Sequence, residues 1–145
     1  MSTPERNIEA MLEIFSAIER RDAQRVLDLV VPDVEFHWPP SLPYGGTRRS
    51  LSTDGPTWGK TWDPLQPTAT ERSLSPRLVA ATGDEVVVHW LQRGVSRAGD
   101  RIETPVLGLY QLRGGKLARA QMFYFDPDAV LNFLAKAGTP ATASA

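Results

Sequence analysis

The side chains in this sequence best suited to chemistry are Tyr44, Tyr110, Tyr124, Gln92 and His37. An imidazole titrates near neutrality and can move a proton. His37 lies in DVEFHW, where strict alternation puts Val34, Phe36 and Trp38 on one face and Glu35 and His37 on the other. The prolines that follow, Pro39 and Pro40, could redirect it. Tyr110 shares parity with Val106 and Gly108, and Tyr124 with Ala120 and Met122. A buried phenol finds a hydrogen-bond partner, and it can equally polarise a ligand carbonyl. Gln92 shares a face with Trp90 and could orient a ligand or a water, but a neutral amide is no general base.

Other polar groups have structural readings. His89 shares a face with Leu91 and Arg93, which reads as outward or facing a partner copy. Asp126 precedes Pro127, the signature of a helix cap. Glu35, Glu85 and Glu103 read as exterior strand charges. Two histidines without acidic partners at ligand spacing, and no cysteine, predict neither a metal site nor a thiol nucleophile.

The totals narrow the class. The chain has 145 residues, 41% of them apolar, with 16 basic against 17 acidic side chains and a net charge of -1. That predicts one core and gives nucleic-acid binding no electrostatic support. The first thirty residues are charged throughout, and no apolar run reaches membrane length, so a cytoplasmic location is expected.

The elements that must position these residues follow from periodicity. Thr3-Pro4 starts a helix carrying Ile8, Met11, Leu12, Phe15 and Ile18. Asp22 caps a second helix carrying Val26, Leu27, Leu29 and Val30, which Pro32-Asp33 ends. DVEFHW is a strand, and residues 38–67 form a proline-rich loop region with three of the four tryptophans. TERSLSPRLVAAT, DEVVVHWLQRGVS, DRIETPVLGLYQL and KLARAQMFYF read as strands, the last two joined at Gly114-Gly115. Asp126-Pro127 begins a closing helix. Helices followed by hairpin-linked strands predict an α+β fold with an antiparallel sheet over residues 1–138 as one domain, and a disordered tail at 139–145.

From about Ile8 to Leu134 the chain resembles the SnoaL-like branch of the nuclear transport factor 2-like superfamily. The carriers are the helix pair ending in DLVVPDVEFHWPP, the hairpin PVLGLYQLRGGKL and the closing FYFDP. The resemblance implies a cone-shaped curved sheet closed by N-terminal helices, an apolar pocket for a hydrophobic ligand, no cofactor, and a homodimer through the outer sheet face. It places His37, Trp38 and Tyr44 at the pocket mouth and Trp90, Gln92, Tyr110, Met122 and Tyr124 toward the pocket. Trp58 and Trp62 would lie on a short lid helix, or simply fill the core. The catalytic sets of its relatives are not found. The ketosteroid isomerase base falls on Trp38 or His37, the isomerase tyrosine on Phe15 and its protonated acid near Gly108. The Asp-Arg-Asp set of the epoxide hydrolases falls on Trp90, Gln92 and Met122 or Phe123. The expected function is a cofactor-independent cyclase, isomerase or epoxide hydrolase acting on a polyketide- or terpenoid-like substrate, with His37, Tyr44 and Tyr124 as the catalytic candidates. The alternatives are a lipophilic-ligand binding module and a dimerisation domain.

Overall fold

Gly114 and Gly115 take φ values of 62° and 77°, the left-handed pair that a two-residue hairpin loop requires. They fold β5 (Arg101–Arg113) back onto β6 (Lys116–Tyr124). The computed structural model describes residues 3–49 and 63–138. Within them, β1 (Val30–Trp38), β2 (Gly46–Arg49), β3 (Arg77–Ala81) and β4 (Glu85–Val95) complete a curved six-stranded sheet in the order β2-β1-β6-β5-β4-β3. The β4–β5 hairpin is its spine, in register from Glu85↔Gln111 to Val95↔Arg101. Shifts between Leu78 and Ala80 and between Gln111 and Leu112 add the local bends that curve a sheet. The predicted antiparallel pairing holds except that β1 runs parallel to β6. No hairpin joins those two strands, so no turn signal could fix their relative direction.

Four helices accompany the sheet among the described residues: α1 (Pro4–Glu19), α2 (Ala23–Asp28), α3 (Ala69–Arg72) and α4 (Pro127–Lys136). Thr3 caps α1 by accepting from the Arg6 amide at 3.2 Å. The buried side of α1 holds Asn7, Met11, Ile14, Phe15 and Ala17, while Leu12 is 39% exposed. Polar anchors set that rotation. Asn7 donates to the Gly83 carbonyl at 2.9 Å, and Glu19 accepts from the Leu74 amide at 2.7 Å, which fixes both ends of α1 across β3 and β4. Asp126 caps α4 as predicted, accepting from the Ala129 amide at 3.0 Å.

Two boundaries differ from the sequence reading. The second helix ends at Asp28 rather than at Pro32, because the Leu117 amide donates to the Leu29 carbonyl and draws Val30 and Val31 into β1. β-branched neighbours favour that outcome. Pro32 is tolerated within the strand because the β1–β6 register shifts between Val30 and Glu35. The stretch TERSLSPRLVAAT is not one strand: its beginning forms α3, and Ser75, at φ 47°, breaks the chain before β3.

The core lies between α1, α4 and the inner sheet face. Val86, Val88, Trp90, Val106, Tyr110, Met122 and Tyr124 project from the sheet against Met11, Ile14, Phe15, Val130, Phe133 and Leu134. Fully burying an aliphatic or aromatic side chain stabilises by about 1.5–3 kcal/mol. Among the described residues, no helix is long and apolar enough to cross a membrane.

Candidate functional site

The proline-rich stretch after β1 folds as two successive turns. The Leu42 amide donates to the Pro39 carbonyl at 3.2 Å, and the Gly45 amide to the Leu42 carbonyl at 2.8 Å. A Cβ on Gly45 would lie 2.0 Å from the Pro39 oxygen, so only glycine fits there. Leu42 is buried as the foot of the loop, and Tyr44 is turned inward until it is fully buried. Its ring meets Trp38 edge-on at 6.0 Å and 87°.

From that position the Tyr44 hydroxyl lies 2.6 Å from the Tyr124 hydroxyl. Tyr124 donates in turn to Gln92 Oε1 at 3.4 Å. A phenol carries one proton, so Tyr44 is the donor in the shorter bond. The row therefore runs from β1's loop through β6 to β4, and it ends at Gln92 Nε2, which is buried without a hydrogen-bond partner.

A second pair lies beside it. Trp90 Nε1 donates to the Tyr110 hydroxyl at 3.0 Å. Tyr110 lies back along its own strand over Gly108, where a Cβ would come within 2.1 Å of the phenol oxygen. Met122 opposes Gly108 in register. Phe15 packs edge-on against both Trp90 and Tyr110, each at 6.0 Å, and Trp90 meets Tyr124 at 6.5 Å and 82°. Together these rings enclose the polar row on the apolar side of α1.

Burial pushes all three phenols well above the ordinary tyrosine range; at Tyr44 the bond to Tyr124 partly opposes this. They are hydrogen-bond donors at neutral pH and not bases. The inner-face positions of β4 and β5 around them are Val88, Trp90, Gln92, Thr104, Val106, Gly108 and Tyr110, none ionised.

His37 is elsewhere. Its ladder positions opposite Thr47 and Gln121 keep it on the outer face, and the following prolines do not redirect it. Its Nδ1 lies 3.0 Å from Thr47 Oγ1, and its Nε2 accepts from Arg119 Nε at 3.3 Å, with Glu35 4.0 Å away. His37 is therefore separated by the sheet from Tyr44, Tyr124 and Gln92. His89 also stands on the outer face, opposite Leu107. Trp58 and Trp62 lie outside the described residues.

The structure thus joins Trp38, Tyr44, Trp90, Gln92, Tyr110, Met122 and Tyr124 on one face and removes His37 from it. Thr104, buried beside Gln92 in register, escaped the sequence reading. Its parity with Val106 and Tyr110 was the available signal. Glu71 is also buried, but its carboxylate is taken by Thr68 and by Arg101 at 2.5 Å. Thr68 first, then its own backbone amide and Arg101, hold it below the usual carboxylate range despite burial. Among the described residues no group of three or more His, Asp or Glu side chains could hold a metal ion.

The SnoaL-like domain family model matches residues 8–120. No curated protein matches the sequence significantly. Among solved structures, an NTF2-like protein from Burkholderia xenovorans LB400 is 24% identical, covering 97% of this chain and 99% of its own, with a TM-score of 0.71. TerC, co-crystallised with polyporic acid, is 24% identical over 90% of this chain and 98% of its own, with a TM-score of 0.66. A candidate SnoaL-like polyketide cyclase from Jannaschia sp. CCS1 is 16% identical, covering 97% of each chain, also at 0.66. At these identities the structural likenesses establish the fold alone.

Proposed function

The chain belongs to the SnoaL-like domain family, and from that premise we propose that it is a cofactor-independent enzyme taking a lipophilic, oxygen-bearing small molecule of polyketide or terpenoid type on the inner face of its sheet. The observation that carries this reading is the buried Tyr44–Tyr124–Gln92 row. An apolar core has no use for a line of donors, because buried polar groups cost free energy unless paired. The 3.4 Å bond to Gln92 is the weak link. Tyr124 can exchange it for a ligand oxygen while still accepting from Tyr44 at 2.6 Å. A phenol so placed stabilises negative charge as it develops on that oxygen. TerC's co-crystallisation with polyporic acid supports a small molecule as the occupant of a similar fold.

The test follows turnover of a panel of enones, polyketide-like diketones and epoxides by wild type and by Tyr124→Phe. The expected result is turnover by wild type that falls roughly 10²–10³-fold in the variant, the size of losing one oxyanion donor. Binding without turnover by wild type would eliminate the enzyme reading. The second reading, a binding module that holds such a ligand unchanged, is favoured by one specific observation. Among the described residues, the inner positions of β4 and β5 carry neither carboxylate nor imidazole. The same panel decides between them.

We further propose a homodimer through the outer sheet face. Leu107 and Phe123, 41% and 50% exposed, are paired in register across β5 and β6, with His89 next to Leu107 on β4. This apolar row on a solvent-facing sheet surface is what a second copy would cover.

A further inference from the structure

Gln92 presents an unusual account of its own hydrogen bonds. Its side chain is fully buried, its Oε1 accepts from Tyr124, and its Nε2 has no partner. A primary amide carries two N–H donors, so both are unspent in an interior where most buried donors are paired. Tyr110 holds a third. Its oxygen accepts from Trp90, and among the described residues its own proton meets no acceptor. The two groups flank Trp90 on the inner face: Gln92 stands two residues along β4, and the Tyr110 hydroxyl is bonded to the indole.

We propose that Gln92 is the specificity-determining residue of this site, and that its amide N–H, seconded by the Tyr110 hydroxyl, selects a neutral carbonyl compound over the alcohol, carboxylate and quaternary ammonium borne on the same ring system. The proposal rests on the reading of the inner face as a small-molecule site. Its grounds are chemical. The unspent groups are donors, so the ligand must bring an acceptor. A carboxylate would also accept, but no cation stands on the inner positions of β4 and β5 to replace its hydration. A cation finds no carboxylate there; ring faces offer it about 0.5–2 kcal/mol. A ketone, lactone or quinone oxygen satisfies the donors without bringing in a charge. Sites built around buried polar groups reject analogues that leave those groups unpaired.

The experiment measures affinities of wild type for five 2-substituted naphthalenes: 2-acetylnaphthalene, 1-(2-naphthyl)ethanol, 2-naphthoate, (2-naphthylmethyl)trimethylammonium and 2-ethylnaphthalene. The ketone should bind roughly tenfold more tightly than the hydrocarbon. In Gln92→Met, which keeps the side chain's length without its amide, that preference should shrink, since the phenols of Tyr110 and Tyr124 still offer donors, while the hydrocarbon binds as before. Retained hydrocarbon binding shows that the variant folds. Independently of any variant, the Gln92 side-chain NH₂ resonances of wild type should shift on adding ketone and stay in place on adding hydrocarbon. If ketone and hydrocarbon bind alike and the amide signals do not move, this proposal fails while the small-molecule site stands. Tightest binding of the ammonium probe would overturn it in favour of an aromatic cage. Tightest binding of the alcohol would overturn it by showing that Gln92 presents its oxygen. Binding of none of the five would remove the small-molecule reading itself, and this proposal with it.

Discussion

Tyr124 both accepts from Tyr44 and donates to Gln92, so its hydroxyl is the member of the row whose loss does most. Tyr124→Phe removes both bonds and leaves the Gln92 carbonyl oxygen unpaired in the interior, at a cost of about 2–3 kcal/mol. Tyr44→Phe removes the incoming bond, and about 1 kcal/mol is expected. Urea denaturation of the two variants should give that order. The same phenols govern alkaline stability. Their folded-state affinity for protons is raised by burial, so below the ordinary phenol value of about 10 both folded and unfolded chains hold these protons. Above it the unfolded chain releases them first, and stability falls by up to about 1.4 kcal/mol per pH unit for each phenol. Denaturation midpoints at pH 9–11 should drop steeply, less so in Tyr110→Phe, and tyrosinate absorbance should rise only with unfolding. Strand parity put Gln92 on the Trp90 face and His37 opposite Trp38, and the family resemblance turned the faces of Tyr110 and Tyr124 toward the same pocket. Tyr44 was not legible from parity, because no period governs a turn; Gly45 and the buried foot at Leu42 decide where it points.

At the level of elements, β5 gives up a side chain so that its neighbour can lie down. Gly108 is required because Tyr110 occupies the space a Cβ would need, 2.1 Å from its oxygen. Gly108→Ala should therefore push the phenol off the Trp90 indole at an overpacking cost of about 1–3 kcal/mol. Thermal unfolding and the indole N–H resonance of Trp90 check the two halves of that statement. The strands β4, β5 and β6 and the capped helices α1 and α4 were readable because period, caps and turn residues agree there. Errors fell where tertiary contacts overrule local preference. Leu12, expected on the apolar side of α1, is turned outward because Asn7 is anchored on a carbonyl of the β3–β4 turn, and the α2–β1 boundary moved because β6 captures the Leu29 carbonyl. Neither partner is near in sequence.

For the whole molecule, the outer face carries the test of assembly. Leu107→Lys together with Phe123→Lys should convert a dimer to a monomer in sedimentation while leaving the near-ultraviolet signal of the inner aromatic cluster unchanged. A wild type that sediments as a monomer at high concentration would end the dimer proposal. Curvature of the sheet and the family were legible from element order and local wording. The parallel neighbour of β1 was not, since pairing between distant strands leaves no mark in either one.

That parallel pairing also constrains how the chain is made. β1 finds its inner neighbour only when residues 117–121 exist, and Tyr44 meets Tyr124 across 80 residues of sequence. A nascent chain emerging from the ribosome can form α1, α2 and the β1–β2 ribbon early, but the ribbon stays undocked until the last strand is synthesised. Contacts so remote in sequence slow folding through the entropy of closing the loop. Assembly of the phenol row is thus among the final events of biogenesis, and a chain cut short after β5 would leave Tyr44 without its acceptor.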